Sequence, residues 1–319
     1  MSASAFRSVV VVGAGAVGSF YGAMLARAGH AVTLVARAPH VEAIEAHGLQ
    51  LHMGGQVHAV RLAATTELDA VRSADLVLFC VKSTDTESVA RQIAPLLAPN
   101  ALVLSLQNGV DNAETLARHL SQSVVPVAVY VATAMPEPGV VQHHGRGDLV
   151  IGPLDAAAGS DATLATRLQA VVELFATAQV PVRISDDVIG ELWSKLMVNC
   201  AYNAISAIAQ QPYGRMAALP EIRELQRAVV HEVVAVAQAA GQPMDLATAM
   251  AAMERIAVAM PGQRSSTAQD LARGKPTEID HLNGSIVRRG AELGVATPVN
   301  QALLALVKLA EAGHAQSGG

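Results

Sequence analysis

SVVVVGAGAVGSFYGAMLARAGHAVTLVAR, residues 8–37, holds the pattern on which the fold turns. The run Val9 to Val12 suits a strand buried on both faces, and Gly13-Ala14-Gly15-Ala16-Val17-Gly18 supplies a tight turn into a helix. That helix continues through small and apolar residues to Gly29, after which Val32 to Val35 begins a second strand. Strand, glycine turn, helix and strand form a βαβ unit, whose helix N-terminus directs backbone N–H groups at any pyrophosphate bound there. The same glycines would serve a bare helix–sheet turn, but their place between strand and helix favours dinucleotide binding. Val9 to Ala26 is also nearly free of charge behind Arg7 and superficially resembles a signal peptide or a membrane span. Gly13, Gly15, Gly18 and Gly22 at structured spacing argue for strand, turn and helix instead.

Outward from this unit, GLQLHMGGQVHAVRLAATT alternates around Gly54 and Gly55 and predicts a hairpin. DLVLFCVK and ALVLSLQNG read as further buried strands, each followed by a helical stretch. SVVPVAVYVATAM and GVVQHHGRGDLVIG add two strand candidates, a helix spans about Ala162 to Ala178, and VPVRIS is a short strand. Strands alternating with helices predict an α/β fold with a Rossmann-type, doubly wound parallel sheet. Beyond Asp186 the texture changes to Ala-, Leu- and Val-rich helical stretches broken by prolines, with no clear strand. The expected division is therefore a dinucleotide-binding domain over residues 1–186 and an all-α substrate and catalytic domain over 187–319.

A length of 319 residues fits two domains sharing a cleft. A formal charge of −5 lacks the basic field of nucleic-acid or anionic-membrane binders, so neither partner is expected. Cys80 and Cys200, the only two cysteines, make neither a disulfide framework nor a conventional zinc site, and a reducing cytoplasm fits them. Adjacent His143 and His144 point to opposite faces of a strand, so no metal site is expected there. Oligomeric state stays open in one dimension, with a homodimer as one candidate assembly.

Two sets of residues carry chemistry. At the nucleotide end, Arg37 follows the second strand where an acid would meet the ribose hydroxyls of NAD; an arginine there suits the 2′-phosphate of NADPH. Lys82 and Asn108 end two later strands at the edge where α/β sheets bind ligands, although Asn108-Gly109 also reads as a plain turn. At the other end, ELWSKLMVNCAYNAISAI predicts a helix apolar nearly all round, yet Lys195, Asn199 and Asn203 recur every fourth residue. Each next side chain sits only about 40° further round the axis, so the three form one polar line suited to lining a cleft. A carbonyl that accepts hydride from a nicotinamide also needs a proton, which Lys195 can donate while the asparagines hold the substrate. RSSTAQDLARGKPTEIDHLNG adds Ser266 and Glu278; Ser266 and Thr277 also fit helix capping, and Glu278 the start of a helix. His281 lies one turn on from Glu278. Cys200, without an identifiable base, reads as a small buried hydrophobe.

These motifs together resemble the 2-dehydropantoate 2-reductase (ketopantoate reductase) family over almost the full length. The glycine turn, Arg37, CVKS, SLQNGV, LWSKLMVNCAYNAISAI and SSTAQDLARGKPTEID recur in order. The resemblance implies an N-terminal Rossmann domain, a C-terminal helical domain and chemistry in the cleft, with NADPH reducing ketopantoate to (R)-pantoate for pantothenate and coenzyme A synthesis. It implies Lys195 as general acid, Glu278 as catalytic and substrate-binding carboxylate, and Asn199, Asn203, Ser266 and Asn108 as substrate contacts. Residues Gly13 to Gly18, Arg37, Lys82 and Asn108 then serve the cofactor. Tyr213 departs from the asparagine that some members place before the glycine, which leaves another branched or aromatic 2-oxo acid as an alternative substrate. A non-enzymatic NADPH-binding regulator is a third reading; it would need no proton donor.

Overall fold

The computed structural model describes residues 6–316, which divide after Ile189 into two compact units. The first unit opens as its valines and glycines dictate: β1 (Val9–Val12), α1 (Ala16–Arg27) and β2 (Val32–Val35), with β1 and β2 parallel. The stretch that resembled a signal peptide is thus a strand and a helix of the core. α2 (Ala38–His47), β3 (Leu49–Met53), β4 (Gln56–Val60) and β5 (Ala63–Thr65) follow, then β6 (Leu76–Phe79), α3 (Thr86–Ile93), β7 (Leu102–Ser105) and α4 (Asn112–His119). β8 (Ser123–Glu137), β9 (Val140–Ile151), α5 (Ala156–Gly159), α6 (Ala162–Thr177) and β10 (Val182–Ile184) complete it.

The strands form one sheet in the order β4-β3-β9-β8-β7-β6-β1-β2-β5, with β10 on β9. From β8 to β5 every pairing is parallel and the layers are doubly wound. Val9 and Val11 face α1 and α6, where Tyr21, Leu25, Leu168 and Phe175 are buried; Val10 and Val12 face α3 and α4, against Ile93 and Leu116. A strand covered on both faces needs apolar residues at every position, which is why these read as unbroken runs.

The other half makes the sheet mixed: β3 pairs antiparallel with β4, as the hairpin around Gly54 and Gly55 predicts, and β8 pairs antiparallel with β9. The cause is connection length. Gly54-Gly55 and Pro138-Gly139 are two-residue links, far short of the dozen or more residues that a parallel crossover needs. Gly54 and Gly55 take φ of 61° and 77°, the left-handed pair that a tight hairpin turn demands. β8 belongs to both halves: Ser123 to Pro126 pairs with β7, and Val127 onward pairs with β9. Pro126, which has no N–H to give a ladder, stands at the change of partner.

In the second unit, the described residues contain helices and no strand: α7 (Val188–Ala209), α8 (Tyr213–Ala217), α9 (Pro220–Ala239), α10 (Leu246–Ala259), α11 (Ser266–Ala272), α12 (Asn283–Leu293) and α13 (Pro298–Gln316). α9 buries Val229, Val230, Val233, Val234 and Val236, and Leu303 and Val307 are buried on α13. No helix among the described residues is long and apolar enough to cross a membrane.

Candidate active site

The glycine turn is held from both sides. Gly13 and Ala14 N–H groups donate to the Val35 carbonyl at 3.1 Å each, and the Ser19 hydroxyl donates to the Ala14 carbonyl at 3.1 Å. Gly13 has φ of 97°, and a Cβ there would lie 2.6 Å from the Val81 backbone nitrogen. Gly15 differs: it is exposed, it is the N-cap of α1, and a Cβ on it would meet nothing within 4 Å. No side chain caps α1, no acid lies in its first turn, and Ala16 and Val17 are only half-buried. The helix therefore presents unspent N–H donors and its positive end to open space, which suits a pyrophosphate.

Arg37 follows β2, is exposed, and is the N-cap of α2, a second helix start without a side-chain cap or an acid in its first turn. Lys82 and Asn108, both half-buried, occupy the loops after β6 and β7, the edge at which parallel sheets take ligands. Gly109 has φ of 95°, so Asn108 also begins a turn; the turn and the ligand reading are compatible. The Asn108 carbonyl accepts from Ser83 Oγ at 3.2 Å, which ties the two loops together. These groups fit a nicotinamide dinucleotide: donors for its phosphates, open space at Gly15, and cations for its charge.

In the second unit, α7 carries the polar line as spaced. Lys195 and Asn199 are half-buried and Asn203 is 3% exposed, while Leu192, Trp193, Leu196, Met197 and Cys200 are buried around them. Burial pushes the Cys200 thiol well up, as it does that of Cys80, so neither offers a thiolate. Two networks lock α7. Ser265 Oγ donates to the Asn203 carbonyl at 3.2 Å, and Ser206 Oγ accepts from the Ser265 N–H at 3.3 Å. Asn283 Nδ2 donates to the Cys200 carbonyl at 3.2 Å and to Asn300 Oδ1 at 2.9 Å, and Asn300 Nδ2 donates to Glu232 Oε2 at 2.7 Å. Asn283 and Asn300 are fully buried, and the carboxylate of Glu232 fixes which way both amides face. Sequence reasoning missed Ser206, Asn283, Asn300 and Glu232. Only Ser206, three residues past Asn203 on nearly the same helix line, left a local signal.

Ser265, not Ser266, caps α11, with Oγ accepting from the Ala268 N–H at 3.0 Å. Ser266 is exposed at the first helical position, so capping does not account for it. Glu278 stands at the N-cap position of the 3₁₀ turn Ile279–His281 but its side chain makes no capping bond; the Thr277 Oγ1 accepts from the Ile279 N–H at 3.2 Å instead. Glu278 is half-buried and its carboxylate does not serve as that cap. The turn is pinned to α13 through the Thr277 N–H to Glu311 Oε1 at 2.8 Å and Lys308 Nζ to Asp280 Oδ2 at 2.7 Å. His281 is half-buried, and its N–H donates to the Glu278 carbonyl. Tyr213 packs its buried ring 4.7 Å from that of Tyr202, the neighbour of Asn203. His143 stacks on Phe20 and bonds the Arg146 carbonyl at 2.6 Å.

Comparison with known proteins agrees with this architecture. The family model described as "Ketopantoate reductase PanE/ApbA" matches residues 9–156, and its C-terminal counterpart matches residues 187–311. The chain belongs to the ketopantoate reductase family. Within that family it is 34% identical over 305 residues to 2-dehydropantoate 2-reductase of Archaeoglobus fulgidus, covering 96% of this chain and 98% of that protein. It is 35% identical over 306 residues to the 2-dehydropantoate 2-reductase of Halobacterium salinarum, covering 95% and 98%. Among solved structures, the ketopantoate reductase of Ralstonia eutropha shares 54% identity at a TM-score of 0.87, covering 96% of this chain and 99% of that one. D-mandelate dehydrogenase with NADH and anilino(oxo)acetate shares 25% identity at a TM-score of 0.89, with the same coverage. The chain is thus a nicotinamide-dependent oxidoreductase of the ketopantoate reductase family.

Proposed function

We propose that the chain reduces 2-dehydropantoate to (R)-pantoate with NADPH, in the cytoplasm, as a step toward pantothenate and coenzyme A. The observation that carries this reading is the polar line Lys195, Asn199 and Asn203 on an otherwise apolar helix, in a chain that also carries an uncapped glycine turn for a dinucleotide. We assign cofactor binding to residues 1–186 and substrate binding and catalysis to residues 187–319. Gly13 to Gly18 and the start of α1 hold the pyrophosphate, Lys82 neutralises phosphate charge, and Asn108 sets the nicotinamide and the substrate. When bound, a nicotinamide dinucleotide would supply the hydride that the carbonyl carbon of the 2-oxo acid needs. Lys195 donates its ammonium proton to the carbonyl oxygen, while Glu278 accepts from the substrate hydroxyl and Asn199, Asn203 and Ser266 hold its remaining polar groups.

Preference for NADPH rests on Arg37 at the start of α2, since a guanidinium and the positive end of a helix with no acid in its first turn both favour the doubly charged 2′-phosphate. NADPH and NADH oxidation followed at 340 nm with ketopantoate, 2-oxoisovalerate and benzoylformate tests both halves of the proposal. The expected result is the highest kcat/KM for ketopantoate with NADPH, and an Arg37→Ala variant that loses roughly 10- to 100-fold with NADPH and little with NADH. Equal losses with both cofactors would remove Arg37 from 2′-phosphate recognition. The likeness to D-mandelate dehydrogenase and the aromatic Tyr213 favour one second reading, an aromatic 2-oxo acid as substrate, which preference for benzoylformate would establish. NADPH binding without turnover of any of the acids would leave a binding regulator.

A homodimer belongs to the same proposal. Along α13, Ala302, Ala305, Leu306 and Leu309 form an exposed apolar stripe, with Leu306 and Leu309 49% and 70% exposed. Light scattering should give twice the 33.0 kDa chain mass, and Leu309→Glu should return it to one. A monomeric wild type would refute the dimer.

A further inference from the structure

We propose that Asn112 is the positioning residue of the cofactor edge, the side chain that sets where Lys82 and Asn108 stand. The inference rests on the reading of these two residues as cofactor ligands. Asn112 is the first residue of α4, 6% exposed, and belongs to neither loop. Its Nδ2 donates to the Asn108 carbonyl at 2.6 Å and to Ser83 Oγ at 3.1 Å, and its Oδ1 accepts from Thr86 Oγ1 at 2.8 Å. Thr86 Oγ1 in turn accepts from Gln107 Nε2 at 2.6 Å, whose other hydrogen goes to the Val81 carbonyl at 3.0 Å.

The proton count closes. Each amide hydrogen of Asn112 and Gln107 has an acceptor, the Thr86 hydroxyl donates one bond and accepts one, and the Ser83 hydroxyl donates to the Asn108 carbonyl while accepting from Asn112. Turning the Asn112 amide over would put oxygen against the Asn108 carbonyl at the 2.6 Å contact, so only one orientation works. Val81 and Ser83 flank Lys82, and Gln107 precedes Asn108. The circuit therefore clamps Lys82 through Val81 and Ser83 on its two sides, and Asn108 through its own carbonyl and Gln107 before it. Ser83, Thr86 and Gln107 are 4%, 2% and 5% exposed, so water does not replace a lost link at bulk cost. A displacement of reacting groups by about 1 Å is enough to cost up to about 100-fold in rate.

The test is a double-mutant cycle of Asn112→Ala with Asn108→Ala, with Thr86→Val as a second entry into the same circuit. kcat, KM and the Kd for NADPH, from protein fluorescence, are measured where circular dichroism shows every variant folded. Asn112→Ala and Thr86→Val should each lower kcat/KM about 10- to 100-fold with kcat falling more than KM rises. In the Asn108→Ala background, Asn112→Ala should cost several-fold less than in the wild type, because one of the two groups it positions is gone and only the route through Ser83 to Lys82 remains. A lowered melting temperature with unchanged kcat/KM, or a full and independent loss in the Asn108→Ala background, would overturn the inference. A wild type that does not bind NADPH would overturn the site reading and this inference together; normal wild-type binding with unaffected variants overturns the inference alone.

Discussion

Replacing Lys195 by alanine lowers kcat by roughly 10²- to 10⁴-fold and leaves the Kd for NADPH near that of the wild type. The expectation follows from where the groups stand. The residues assigned to the dinucleotide lie on the unit ending at Ile189, whereas Lys195 lies on α7 in the unit that begins at Gly190. Removing its ammonium takes away the proton that the carbonyl oxygen must gain, a group needed in the transition state more than in binding. Lys195→Arg sharpens the test, since a guanidinium keeps the positive charge but does not give up its proton near neutral pH. It should recover substrate affinity and little of the rate. A Lys195→Ala enzyme with near-normal kcat in single turnovers would end the general-acid assignment, and a proportionate loss of NADPH affinity would move Lys195 to the cofactor.

How far such roles were legible in the sequence depends on whether the partner is close along the chain. The βαβ unit was legible because strand, glycine turn and helix are consecutive, and the Gly54-Gly55 hairpin because its two residues fix its turn. The line of Lys195, Asn199 and Asn203 was legible because helical period alone aligns them. Strand order on the far side was not: alternation shows which face of a strand is buried, not which strand lies beside it, and β9 pairs with the distant β3. The cap of α11 was misplaced by one residue because Ser265 and Ser266 are chemically equal in the sequence; the bonds of Ser265 to the Ala268 N–H and to the Asn203 carbonyl on α7 distinguish them. Asn112, Asn283, Asn300 and Glu232 drew no reading from the sequence, and they stand on four different helices. Networks of this kind are built from side chains far apart in sequence, so nothing local announces them.

The glycine turn yields the second large effect, and it divides two residues that look alike. Gly13→Ala should destabilise the protein by about 2–4 kcal/mol, lowering the melting temperature by roughly 5–15 °C. An alanine at φ of 97° is strained, and its Cβ would lie 2.6 Å from the Val81 nitrogen and 2.8 Å from the Cys80 carbonyl carbon, both backbone atoms that cannot turn aside. Gly15→Ala should leave the melting temperature within about 2 °C, because φ of −77° suits alanine and its Cβ would meet nothing within 4 Å. The open space at Gly15 is what a pyrophosphate approaching the α1 N–H groups would occupy, so this variant should weaken NADPH about tenfold or more while remaining folded. Thermal melts with and without NADPH separate the two: Gly13→Ala starts from a lower melting temperature, and Gly15→Ala loses the upward shift that the cofactor gives the wild type. A Gly15→Ala protein that binds NADPH as the wild type does would show that the phosphates lie elsewhere.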